Sequence, residues 1–204
     1  MKDLGTVDTT YTVRFTRRSK HSAARVWRAI TEPAEVEAWM DFPVTSADMR
    51  QGGHLCIDFS RTASGRPSAD AQDGTGLDAI VVYAEPDRAL ALAWGPRPLP
   101  TGTGPERAIA GLRHARWEVI EWTIEPREDG STYTLAHHGL AAPTMERESI
   151  AWGWHGFLDR LDGHLDGTFS AGRFAGMTDE AQRTLYDHEL KTVYQRHLDT
   201  LLRR

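Results

Sequence analysis

Residues 143–167 read PTMERESIAWGWHGFLDRLDGHLDG. Within them Ile150, Trp154, Phe157, Leu158, Leu161 and Leu165 recur at helical spacing and form an apolar stripe. Thr144, after Pro143, is a suitable N-cap and Gly167 a suitable stop, which predicts a long helix near residues 145–166. This helix is the only element large enough to cover a curled sheet, so its stripe decides how the chain folds.

N-terminal to the helix the chain is rich in strand signals. Tyr11, Val13 and Phe15 share one face of Thr9–Arg18, with Thr10, Thr12, Arg14 and Thr16 on the other, a half-buried strand. Ser22 can cap a helix in which Ala23, Val26, Trp27 and Ile30 recur, and Pro33 restarts a second helix reaching about Trp39. Six further strands are expected at Val44–Met49, His54–Arg61, Leu77–Ala84, Arg88–Trp94, Ala115–Glu125 and Thr132–His138. Gly52-Gly53, Pro86-Asp87 and Asp129-Gly130 supply turns between them. The order strand, two helices, six strands, long helix predicts an α+β, helix-grip architecture: seven antiparallel strands curled around the helix. Two connections are long, Thr62–Gly76 and the proline-rich Gly95–His114. Loops of that length in a compact domain are usually functional or disordered.

Composition sets the outer limits. The chain has 204 residues, 40% hydrophobic and 26% charged, an ordinary globular balance. Its longest apolar runs, Ala79–Ala84 and Ala89–Trp94, fall far short of the roughly twenty residues of a membrane span. Met1–Thr10 lacks the apolar centre of a signal peptide, so a cytoplasmic protein is expected. The net charge is −5 and neither half is basic, which argues against nucleic acid as a partner. The lone Cys56 excludes an intrachain disulfide and a four-thiolate zinc site. Seven tryptophans are a heavy load, enough to line a cavity as well as fill a core.

Arg17-Arg18, then Val26 to Pro33 (VWRAITEP) and Trp39, resemble the opening of SRPBCC (START-like, helix-grip) proteins. More narrowly, the chain is similar to the bacterial group named after the activator of heat-shock-protein-90 ATPase. Gly52-Gly53, Glu85 to Arg88, Trp94-Gly95, Asp129 to Thr132 and Ala151 to Leu161 fall in that group's order. The resemblance spans roughly residues 10–167 and implies a small-molecule cavity between sheet and helix, with no universal catalytic residue. Related abscisic-acid receptors use connections equivalent to the two long loops as gate and latch, so the resemblance implies a lid here.

Strand parity names the inward residues. If Trp122 and Ile124 face the helix, so does Glu118, and across the hairpin so do Tyr133, Leu135 and His137. Leu55, Ile57 and Phe59 share a face, as do Leu90, Leu92 and Trp94. The expected lining is Phe59, Trp94, Glu118, Trp122, Tyr133, His137, Trp154 and Leu158, with Glu118 nearer the mouth. A filled core with a satisfied histidine and a rim glutamate is the alternative. His155 and Asp159 stand at i and i+4, but with no third ligand they read as a solvated polar face. His137 and His138 point to opposite faces and cannot share one ion. No catalytic set, metal site or cofactor motif is assigned.

The leading expectation is binding of a small apolar or aromatic molecule. Stimulation of a chaperone ATPase, and cyclase- or hydratase-like catalysis using His137 with Glu118, are the alternatives. Residues 168–204 read as a linker and an amphipathic tail helix with Leu190, Val193, Tyr194, His197, Leu198 and Leu201 on its stripe. It packs on its own domain or on a second copy, and a two-fold dimer is the favoured expectation.

Overall fold

The computed structural model describes residues 4–7, 12–65, 76–94, 118–140, 150–168, 192–194 and 196. Residues 66–75 of the first long loop, the whole of the second (95–114), the expected cap Thr144 and most of the tail lie outside the described residues.

In chain order the elements are β1 (Thr6–Val7), β2 (Val13–Ser19), α1 (Ala23–Thr31), α2 (Pro33–Met40), β3 (Val44–Ala47) and β4 (His54–Asp58). Then follow β5 (Gly76–Glu85), β6 (Ala89–Trp94), β7 (Glu118–Arg127), β8 (Gly130–His138) and α3 (Ile150–Leu165). One antiparallel sheet runs β1-β2-β8-β7-β6-β5-β4-β3. It has eight strands among the described residues, not the seven expected. The addition is the two-residue β1, where Thr6 and Val7 pair with Arg14 and Val13. A strand this short carries no periodicity for sequence reading to detect.

Local chemistry accounts for the element boundaries. The Ser22 side chain accepts a hydrogen bond from Arg25 N, and Pro33 opens α2, where its missing N–H costs nothing. Asp41 ends α2 in the left-handed region, φ 61°, and turns Phe42 back toward the sheet side. At the end of α3, Thr168 N bonds Gly163 O and Gly167 N bonds His164 O, with Gly167 at φ 67°. That is a Schellman closure, which satisfies the last carbonyls of the helix. Gly130 is required twice over: its φ is 138°, and a Cβ there would lie 2.2 Å from Ser19 O.

A bulge interrupts the β5–β6 register between Val81 and Tyr83, and another interrupts β3–β4 between Val44 and Ser46. Bulges add local twist and help the sheet to curl. The core lies between the concave sheet face and the helices. Ala151, Trp154, His155, Leu158, Leu161 and Leu165 are the buried residues of α3. Leu158 and Leu161 are wholly buried, each contributing about 1.5–3 kcal/mol by leaving water. Trp39 Nε1 donates to Ala29 O at 2.8 Å and fastens α2 to α1. Glu35 accepts from Arg25 and His164 at 2.8 and 2.6 Å, joining α2 to α1 and to the end of α3.

Candidate functional site

Six aromatic rings from five parts of the fold form a closed circuit: Phe42, Phe59, Trp94, His137, Trp154 and Phe157. Successive centroids are 4.9, 6.4, 5.8, 6.1 and 5.9 Å apart, and 6.3 Å from Phe157 back to Phe42. Trp94 and His137 are stacked at 17°, while the other contacts are tilted or edge-on. Phe42, Phe59, Trp94 and Phe157 are half-buried, whereas His137 and Trp154 are buried. The circuit therefore has a wet side and a dry side.

On the dry side lies a chain of polar contacts. Trp154 Nε1 donates to His137 Nδ1 at 2.9 Å. An indole N–H only donates, so Nδ1 must be an acceptor and the imidazole carries its hydrogen on Nε2. That N–H then donates to Glu118 Oε2 at 3.0 Å. Both nitrogens are thus engaged, and His137 has no lone pair with which to take a proton from a substrate. The chemically available group is the Glu118 carboxylate, whose side chain is 26% exposed. Glu118 stands directly opposite Trp94 across the β6–β7 ladder, on the same face.

The eight lining residues expected from strand parity separate into three groups. Phe59, Trp94, His137 and Trp154 meet in the circuit, with Glu118 attached through His137. Trp122 lies beneath, 6.4 Å edge-on to Trp154 and 3% exposed, and Leu158 is fully buried. Tyr133 turns to a different neighbourhood, donating to Asp162 Oδ1 at 2.5 Å. Sequence reading did not single out Phe42. Its signal is the position just after α2, which only the turn at Asp41 makes meaningful.

Tyr133 belongs to a buried ionic cluster. Arg17 is 3% exposed. Its Nη1 donates to Asp162 Oδ2 at 2.8 Å, and its Nη2 lies 2.7 Å from Asp159 Oδ1 in an ionic contact without hydrogen-bond direction. Burial pushes the Asp162 carboxyl above the usual carboxylate range, against the pull of Tyr133 and Arg17. Burial likewise holds the Tyr133 phenol well above its ordinary value. Arg17 shares β2 with Val13 and Phe15 at inward parity, which is the signal that could have found it.

His155 corrects the expectation of a solvated face: it is 4% exposed. It packs edge-on against Phe15 and Tyr194, and its Nδ1 lies 3.0 Å from Tyr194 Oη, with Nε2 3.5 Å from Asp159. Tyr194 Oη also accepts from Gly5 N at 3.0 Å. One residue of the expected tail stripe is therefore buried on its own domain, 3% exposed, where it brings the N-terminal strand and α3 together. Burial raises its phenol to about 12. Among the described residues no group of His, Cys, Asp and Glu could hold a metal ion. No described helix is long and apolar enough to cross a membrane.

Solved structures share this fold. CalU16 from Micromonospora echinospora is 15% identical with a TM-score of 0.63, covering 98% of each chain. Protein MLL2253 from Mesorhizobium loti is 23% identical with a TM-score of 0.55, over 78% of this chain and 98% of that one. DynU16, from the dynemicin biosynthetic locus, is 22% identical with a TM-score of 0.56, over 78% of this chain and 49% of that one. No curated protein matches the chain. The family described as Activator of Hsp90 ATPase homolog 1-like protein matches residues 20–166, which takes in α1 through α3. A curled antiparallel sheet gripping one long helix, together with that match over well more than half of its length, makes the chain a member of the Activator of Hsp90 ATPase homolog 1-like family, within the SRPBCC helix-grip class.

Proposed function

We propose that the chain binds a small apolar or aromatic molecule against the aromatic circuit between sheet and α3. The observation that carries this reading is the pairing of a wet side with a dry side. Four half-buried rings, Phe42, Phe59, Trp94 and Phe157, converge on buried Trp154 and His137. A cluster needed only for stability would bury its largest rings, since each buried aromatic removes about 150–250 Å² from water. Leaving four partly wet forgoes part of that gain and leaves their faces to an apolar ligand. Convergent polar groups are few, Glu118 and the His137–Trp154 pair, which suits a site that orients a mainly apolar body. DynU16's place in the dynemicin biosynthetic locus is in keeping with a small-molecule ligand.

Titration with a neutral apolar fluorophore such as N-phenylnaphthylamine tests the reading. Tryptophan emission should be quenched saturably, because Trp94 and Trp154 line the circuit. Phe59→Ala, at a half-buried position, should weaken the affinity without lowering the melting temperature much. Linear, unsaturable quenching by wild type would refute the reading.

A further inference from the structure

We infer that the ligand carries a positive charge: an ammonium group placed beside Glu118, with its apolar body against Trp94 and Phe59. The inference deepens the binding reading above and rests on it.

Glu118 is a carboxylate in an unusual position. Its partner among the described residues is His137, through Nε2, and the Trp154 N–H fixes that imidazole as neutral. No described Lys or Arg contacts it. An ionised carboxylate beside a buried cluster ordinarily has a cation near it, because a low-dielectric surround magnifies the cost of leaving its charge unbalanced. Arg17 and Arg25 play that part for Asp159, Asp162 and Glu35 elsewhere in this fold. Among the described residues, the position at Glu118 is held by a neutral donor, which satisfies one hydrogen-bonding need and brings no balancing charge.

The neighbours reinforce the same sign. Trp94 stands across the ladder from Glu118 and leads on to Phe59 and Phe42. Ring faces are electron-rich, so the carboxylate and the rings together attract a cation and repel an anion. The circuit already holds one cation on its helix side, where the Arg160 guanidinium carbon lies 5.9 Å from the Phe157 centroid. Arg160 also donates to Met40 O at 3.2 Å. The Glu118 end, across the circuit, offers the stronger site because it adds a full negative charge to the ring faces. With 26% of its side chain exposed, the carboxylate can be reached from solvent.

Three probes of nearly equal size and different charge test this by calorimetric titration: naphthylmethylammonium, naphthylmethanol and naphthoate. Wild type should bind the ammonium about tenfold more tightly than the alcohol, and naphthoate most weakly. Glu118→Gln keeps a carbonyl oxygen for the His137 N–H but removes the charge. It should bring ammonium and alcohol to the same affinity. Glu121→Gln removes a carboxylate paired with His138 and should leave the preference intact. If the alcohol binds and the ammonium preference is absent, or survives Glu118→Gln, or is equally lost in Glu121→Gln, the charge inference falls and the apolar-binding reading stands. If none of the three probes binds, both fall.

Discussion

Replacing Arg17 by Met should destabilise the fold through charge rather than through volume, and pH separates the two. Met keeps an apolar stem of similar reach and removes the guanidinium that lies between Asp159 and Asp162. Breaking a buried ion pair by deleting one partner costs about 3–5 kcal/mol. Here the two carboxylates keep 35% and 39% exposure, so water recovers part of that cost and about 2–3 kcal/mol remains near neutral pH. For a chain of this length the melting temperature should fall by roughly 5–10 °C. The carboxyl of Asp162 already lies above the ordinary range through burial, and loss of Arg17 raises it further. A raised carboxyl favours the folded state below its unfolded value and loses that contribution as pH climbs through the folded value. The deficit of the variant should therefore shrink as pH falls from neutral toward about 4, where a protonated Asp162 needs no cation. Urea unfolding followed by tryptophan fluorescence at both pH values measures it. An equal deficit at the two pH values, or one below about 1 kcal/mol at neutrality, would show that the guanidinium charge is not what holds this cluster.

Three further outcomes follow from particular contacts. The Tyr194 phenol is raised to about 12, so its stabilising contribution is complete below its ordinary value of 10.0 and is lost as pH rises through about 12. Ultraviolet titration should show Tyr194 ionising late, as buried Tyr133 also does, and Tyr194→Phe should lower the late amplitude by one phenol; an unchanged late amplitude in the variant would assign it elsewhere. Trp154→Phe keeps a ring but deletes the donor to His137 Nδ1, at a cost of about 1–3 kcal/mol. Nitrogen NMR should place the wild-type imidazole hydrogen on Nε2, and finding it on Nδ1 would overturn the proton assignment. Gly130→Ala should cost more than about 1 kcal/mol, since both the φ of 138° and the 2.2 Å approach to Ser19 O oppose a Cβ; a neutral effect in thermal unfolding would mean that the β7–β8 turn relaxes freely.

Much of the architecture is determined by the sequence alone, because its signals are local. Period-two alternation in Val13–Ser19, helical spacing in residues 150–165, Ser22 as a cap and Gly167 as a stop all depend on residues a few positions apart. Once those elements are in order, the curled sheet around α3 follows with little freedom. The site was legible in part: parity put Glu118, Trp122 and His137 on one face and brought Phe59 and Trp94 near it. The tertiary structure decided what those residues touch. Phe42 enters the circuit because Asp41 turns the chain, and Tyr133 leaves it because Asp162 on α3 offers its hydroxyl a partner. His155, which looks solvent-facing on a helical wheel, is buried because Phe15 and Tyr194 cover it from β2 and the tail. The proton of His137 is placed by Trp154, seventeen positions further along the chain. These are contacts between segments distant in sequence. Their energies depend on how whole elements dock, and no local pattern of residues encodes that docking.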